Sequence, residues 1–282
     1  MAFDIYTAVT DRIIEQLEQG VIPWHKPWTG VQSGAISGIT GKPYSLLNQM
    51  LLGKPGEWYT WNQIQKMGGK VRKGEKSSMV VFWKQQAIKE EDPATGEKVE
   101  RMIPMLKYFN VFHIDQIEGI DRKIIAPEAQ DPATDDKADT IIADYLQRSG
   151  VELEHRKGDE AFYSPSADRV ELPLREQFQD MAEYYSTAFH ELTHSTGHSS
   201  RLDRISRRAF FGSEEYSREE LVAEIGAAAL LNHCGIETSA SLRNSAAYIQ
   251  SWLRALRGDK KLIVTASGAA AKAFDLITGA TA

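Results

Sequence analysis

The stretch Phe189-His190-Glu191-Leu192-Thr193-His194 decides how the rest of the chain is read. It contains His-Glu-x-x-His, late in a run with helical spacing. At 3.6 residues per turn, positions i and i+4 share a face. His190 and His194 therefore point the same way and can hold one Zn²⁺ through imidazole nitrogens, with other divalent ions left open. Glu191 lies one residue on, near enough to reach a water beside the metal without binding the metal itself. Two ligands, a general base and an activated water are the parts of a zinc hydrolase. The preceding residues supply the context. Phe178, Met181, Ala182, Tyr185, Ala188, Phe189 and Leu192 recur at threes and fours, an apolar stripe that puts the motif on a buried helix.

A catalytic zinc site needs one more protein ligand and an open position. Extension to His-x-x-Gly-x-x-His fails: Gly197 is in place, but the last position is Ser200, and His198 comes too early. The other source is an acid on a following helix, within Ser217-Arg218-Glu219-Glu220-Leu221-Val222-Ala223-Glu224. Glu220 and Glu224 are i and i+4, with small Ala223 beside them. Glu-x-x-Ala-acid resembles the second-helix motif of zincins. That resemblance implies Glu220 as third ligand and Glu224 as the outer group that orients a ligand His. The reverse stays open, because Ser217 with Glu220 three residues on also reads as a capping box, which would make Glu224 the ligand. Tyr216 and His233 are the candidates for stabilising an oxyanion.

The chain of 282 residues is long enough for two modest domains with cores of their own. Its lone cysteine, Cys234, excludes an internal disulfide and a cysteine-based zinc finger, and reads as a buried structural thiol at a helix end. No signal-like apolar run and no membrane-length apolar stretch appear, so a cytoplasmic protein without a membrane partner is expected. The net charge of −6 hides an asymmetry. Residues 1–125 carry 16 Lys and Arg against 14 Asp and Glu, or +2, and the remainder 17 against 25, or −8. Within 54–84, Lys54, Lys66, Lys70, Arg72, Lys73, Lys76 and Lys84 face only Glu57 and Glu75. Such a cluster in an acidic protein is a candidate polyanion contact. Trp24, Trp28, Tyr44, Trp58, Tyr59, Trp61 and Trp83 lie near or among these cations. Cations for phosphates and aromatic faces for bases are what a single strand requires.

The periodicities predict an α+β protein of two domains: 1–125 binding nucleic acid, 126–136 a linker, and 137–282 carrying the metal. In the first, helices are expected over 3–19, 44–52 and up to Met67, and strands at Met79–Trp83 and Leu106–Phe112. A charged loop is expected over 86–100, with a turn at Asp92-Pro93-Ala94-Thr95-Gly96. In the second, a helix over 136–149 precedes two short strands around Phe162 and Val170. Val170–Leu172 is the candidate edge strand for pairing with a peptide backbone. The active helix, the Glu helix, a helix around Trp252 and a last helix over 266–274 follow.

The chain resembles the ArdC-type antirestriction proteins of conjugative plasmids and phages over nearly its whole length. The resemblance rests on Gly20-Val21-Ile22-Pro23-Trp24-His25-Lys26-Pro27-Trp28, Gly41-Lys42-Pro43-Tyr44, Asn48, Gly68-Gly69, Arg72-Lys73-Gly74-Glu75-Lys76 and Asn110-Val111-Phe112. It continues through Pro173, His190 to His198, Arg201-Leu202 and Tyr216 to Glu224. Family members often carry Tyr-x-Gly-x-Asn where Tyr44-Ser45-Leu46-Leu47-Asn48 stands, and Asn-Val-Phe-Asn where His113 stands. The resemblance implies a single-stranded-DNA-binding domain joined to a zincin-like metallopeptidase domain, acting on an unidentified protein substrate in antirestriction during DNA transfer. Trp24, Lys26, Trp28, Tyr44, Asn48, Lys66, Lys70, Arg72, Lys73 and Lys76 are the expected DNA contacts, Glu191 the catalytic base, and His190, His194 and Glu220 the metal ligands. The rival reading is a protein that shields incoming single strands and keeps a structural zinc. Glu191 tells against it, since a structural site has no use for a base.

Overall fold

The computed structural model describes residues 3–24, 34–91, 98–121, 135–205, 214–236 and 246–280. Helix α1 (Ile5–Glu18) starts where the Asp4 carboxylate accepts the Tyr6 N–H, and buries Val9, Ile13 and Leu17. Strand β1 (Ala35–Ser37), α2 (Leu46–Leu52), β2 (Gly56–Thr60), α3 (Trp61–Lys66) and β3 (Lys70–Val71) follow. The long strands β4 (Ser78–Glu91) and β5 (Lys98–His113) come next, and β6 (Ile117–Glu118) pairs back on β3. The main sheet has the order β1-β2-β5-β4.

The charged loop expected over 86–100 is largely a ribbon, because β4 and β5 stay in register from Ser78↔Val111 to Glu91↔Lys98. Charge misled the reading: a ribbon that buries neither face tolerates charged residues in strand conformation. The expected turn at 92–96, and nearly all of the linker 126–136, lie outside the described residues.

The second half runs α4 (Asp135–Ser149), β7 (Glu152–Arg156), β8 (Phe162–Ser164), β9 (Arg169–Pro173), α5 (Met181–Ser195), α6 (Glu214–Cys234), α7 (Ala246–Gly258) and α8 (Leu262–Thr278). Strand β7 is one more than the sequence suggested. It pairs parallel with β9 while β8 pairs antiparallel on the other side, giving the order β7-β9-β8. Val170–Leu172 is therefore central and cannot be an edge; β8 is. Three of the middle residues of β9, Val170, Glu171 and Leu172, are buried, as a strand flanked on both sides requires.

One hydrophobic core belongs to α4, β9, α5 and α6, with Tyr145, Val170, Tyr184, Phe189 and Leu230 buried together. The largest cluster instead joins both halves. Val9, Ile13 and Leu17 of α1 and Met50 of α2 pack with Leu221 and Ile225 of α6, Trp252 of α7 and Ile263 of α8. Polar ties reinforce it: Thr10 Oγ1 donates to the Lys260 carbonyl at 2.7 Å, and Arg257 pairs with Glu18 at 2.6 Å. The boundary expected near residue 125 thus divides the chain but not its core. Among the described residues no helix is long and apolar enough to cross a membrane.

Candidate metal centre

Helix α5 starts at Asp180, whose carboxylate accepts the Glu183 N–H at 2.8 Å. Its stripe of Tyr184, Tyr185, Ala188, Phe189 and Leu192 goes into the core. That fixes the rotation of the helix and leaves His190 and His194 facing α6. The two helices approach closely because Gly226 of α6 lies against Thr193: a Cβ there would sit 2.6 Å from Thr193 Cγ2. Helix α6 begins at Glu214, so Ser217 lies inside it and caps nothing.

His190 Nε2 and His194 Nε2 are 3.1 Å apart. Glu220 Oε2 lies 3.6 Å from the first and Oε1 3.5 Å from the second. All three donor groups lie within 4.8 Å of one another. Tetrahedral ligands at zinc-to-nitrogen bond lengths stand about 3.3 Å apart, so two imidazoles and a carboxylate at these separations suit a small divalent cation. Glu191 is buried and lines the same cleft, of about 750 Å³, together with Tyr216 and Phe162.

Glu219 stands behind His194. Its Oε1 is 3.4 Å from His194 Nδ1. Arg204 grips the same carboxylate, Nη2 to Oε1 at 2.8 Å and Nε to Oε2 at 3.1 Å, and also donates to Thr196 Oγ1 and the Thr193 carbonyl. Burial raises the Glu219 carboxyl, but His194 and Arg204 outweigh it and hold it below the usual range. Burial likewise lowers His194, and the carboxylates of Glu219, Glu191 and Glu220 more than reverse that. Glu220 is lowered too: burial opposes, and His190 and His194 prevail. Glu224 is one turn further on and neighbours Tyr248, whose phenol is pushed up by burial and by that carboxylate. The sequence offered a sign for Glu219. On a helix the next residue is about 100° round, so an acid beside Glu220 can reach the other nitrogen of the same ring.

A second lock holds the cleft's rim. Asp168, at φ +48, turns β8 into β9. Arg201 donates to both Asp168 oxygens, to Tyr163 Oη and to the Ser195 carbonyl, fastening β8 to the end of α5. His233 is not in the cleft; it packs on Phe274.

The expected DNA contacts scatter. Trp24 is 3% exposed and packs edge-on against Trp252, and Asn48 is fully buried, bonding both the N–H and the carbonyl of Val81 at 2.8 Å. Neither can meet a nucleic acid. Lys26 and Trp28 lie outside the described residues. Tyr44 is half-buried, and Lys66, Lys70, Arg72, Lys73 and Lys76 are exposed. Of Trp58, Tyr59 and Trp61, only Trp61 is exposed.

A His-Glu-x-x-His helix crossed by a Glu helix beside a small sheet defines a zincin-like metallopeptidase domain, here joined to an N-terminal α+β domain. Residues 137–269 match the family described as zincin-like metallopeptidase, and residues 3–112 the N-terminal domain of anti-restriction factor ArdC. The chain belongs to the ArdC antirestriction family. It is similar to the crystal structure of the metal-free antirestriction ArdC protein from the R388 plasmid, with 39% identity, a TM-score of 0.75, and 98% of this chain and 97% of that one covered. The Mn(II)-bound structure of that protein gives 38% identity, a TM-score of 0.77 and 98% of each chain. A DNA primase TraC of Escherichia coli is 36% identical over 95% of this chain, but the chain spans only 26% of that relative. An uncharacterized protein of Sinorhizobium fredii, y4eC, is 32% identical over 96% of this chain and 91% of its own length.

Proposed function

We propose that the chain is a DNA-associated zinc metallopeptidase of antirestriction, which protects incoming single-stranded DNA during conjugation or phage entry. The observation that carries the peptidase reading is the convergence of His190, His194 and Glu220 in a cleft that Glu191 also lines. His190, His194 and Glu220 hold the metal, and a relative whose structure is Mn(II)-bound supports a divalent ion as the occupant. Bound at that place, a divalent ion supplies Lewis acidity, which draws the pKa of a water toward about 7.

The chain's own groups do the rest. Glu191 takes the proton of the attacking water and returns it to the leaving amine. Tyr216, pushed up to about 12 by burial and by Glu220, stays un-ionised and donates to the oxygen of the scissile carbonyl. Glu219 and Arg204 hold His194 in its tautomer and orientation. The edge strand β8 pairs with the extended backbone of a protein substrate. The exposed cations Lys66, Lys70, Arg72, Lys73 and Lys76 contact phosphates of the single strand.

The test is a protease assay with and without single-stranded DNA, comparing the native chain with Glu191→Gln. The variant should keep its metal and lose cleavage by about 10²–10⁴-fold. Unchanged cleavage in Glu191→Gln would sink the mechanism. A metal-loaded chain that binds single strands and cleaves no protein would favour the shielding reading. Metal analysis should find one zinc per chain, lost on combining His190→Ala with His194→Ala.

A further inference from the structure

Exposed large apolar side chains concentrate on the β4–β5 ribbon, where Phe82, Trp83, Met102, Tyr108 and Phe109 are each 42–57% exposed. The register pairs Val80 with Phe109, Phe82 with Lys107, and Lys84 with Met105. Side chains two apart on a strand, and those directly opposite, share a face, so Phe109, Phe82, Lys107 and Lys84 stand together. Phe82 and Phe109 meet edge to face at 6.0 Å, and Tyr44 lies 6.1 Å from Phe82. Both faces bury residues where the ribbon joins the sheet, Val80 and Val111 on this one and Val81 and Leu106 on the other, and on that other face Tyr108 packs on Phe3 at 4.8 Å.

Charge selects the occupant. Residues 76–89 and 101–114 carry Lys76, Lys84, Lys89, Arg101 and Lys107 and no Asp or Glu, in a chain of net charge −6. Open aromatic rings beside cations, with the ribbon's acids Glu90, Glu91 and Glu100 confined to its far end, suit a polyanion that also offers flat faces.

We propose that the face of the ribbon carrying Phe82 and Phe109 is the base-stacking platform for single-stranded DNA, with Phe82, Phe109 and Tyr44 stacking bases and Lys84 and Lys107 meeting phosphates. The inference rests on the single-strand reading of the N-terminal domain and says where the strand lies. Of the rings that precede the 66–76 cations in sequence, Trp58 and Tyr59 are buried and Trp61 is exposed on α3, off the ribbon.

Fluorescence anisotropy of a labelled oligo-dT against the full-length chain tests it. Phe82→Ala with Phe109→Ala should weaken binding by roughly 30-fold or more, at about fivefold or more per ring. The slope of log affinity against log salt should hold, because no cation is lost. Lys84→Ala with Lys107→Ala should flatten that slope by about 0.7 per lysine. Phe82→Leu with Phe109→Leu keeps apolar bulk but no π face, and should lose binding as the alanine pair does. Trp83→Ala, on the opposite face, should bind within about twofold of the native chain, while a loss equal to the Phe pair's would place the strand on that face instead and overturn the inference. Unchanged melting temperature and metal content certify that each variant is folded. If the native chain binds oligo-dT and the Phe82/Phe109 variants bind as tightly, this inference fails alone. If the native chain binds no single strand, the underlying reading fails with it.

Discussion

Glu219 and Glu220 are neighbours on α6, yet they meet opposite sides of the imidazoles: Glu220 the Nε2 atoms, Glu219 the Nδ1 of His194. Removing charge from Glu219 leaves the donor set whole and frees the ring it orients. Glu219→Gln should weaken metal binding by about 10–100-fold in a chelator competition, Glu220→Ala by more, and Glu224→Gln by nothing measurable. If Glu224→Gln is the variant that empties the site, the assignment is reversed. His190, Glu191 and His194 were legible because helical spacing alone brings them together. Glu219 was legible only in its place beside Glu220, since its role depends on how α6 is rotated and on Arg204, which reaches it from a loop. Asp168 gives a test by pH. Its hydrogen bonds from Arg201 outweigh burial and hold its carboxyl below the usual range. A folded-state pKa below the unfolded one stabilises the fold above about pH 4 and loses that contribution as pH falls through the folded value. Asp168→Asn should therefore lower the melting temperature at neutral pH and narrow its gap to the native chain below about pH 4. A gap that widens on acidification would contradict the role.

Between elements, one small residue sets a distance that the chemistry uses. Gly226 lets α6 close on α5 at Thr193, whose hydroxyl already donates to the Phe189 carbonyl at 2.7 Å and cannot easily turn away. Gly226→Ala should cost about 1–3 kcal/mol by overpacking and weaken metal binding, by pushing Glu220 from the histidines. Gly268, in α8, has nothing within 4 Å of a built Cβ, so Gly268→Ala should stabilise the chain by about 0.4–1 kcal/mol and leave the metal alone. Equal effects at the two positions in chemical denaturation would show that the helix gap is not under strain. Asn48 shows the limit of motif reading. It stood among the nucleic-acid contacts, but its side chain completes the backbone bonds of Val81 inside the fold. Asn48→Ala should cost about 2–5 kcal/mol, because two buried backbone groups lose their partner. Amphipathic helices such as α1 and α5 were readable from their apolar spacing. The ribbon was not, because neither face along its outer part carries the alternation that marks a half-buried strand. Strand β7 escaped because its pairing is parallel and its partner follows two strands' breadth later in the chain.

At the scale of the whole molecule, charge divides the chain and packing joins it. The split of +2 over residues 1–125 and −8 over the rest predicts two workplaces, and nothing in that pattern reveals a shared core. Yet α1 and α2 pack on α7 and α8 in one cluster with Leu221 and Ile225, which lie on the same helix as Glu219 and Glu220. Apolar surface buried between the halves contributes about 25 cal/mol per Å², a term that either half alone would forfeit. The full chain should therefore unfold in one cooperative transition, with metal release and loss of secondary structure coinciding. A fragment of residues 137–282 should be poorly soluble or melt well below the full chain, because it exposes the α7 and α8 faces that α1 covers. Adding residues 1–125 in trans should restore part of the loss. The arrangement also gives the N-terminal half a physical route to the candidate metal centre, through the core it shares with the helix that carries Glu220. Single-stranded DNA should then raise the melting temperature seen by the metal-dependent transition as well as by the N-terminal ribbon. Two separate transitions in calorimetry, with DNA shifting only the one that leaves metal bound, would show instead that the two halves fold and work independently.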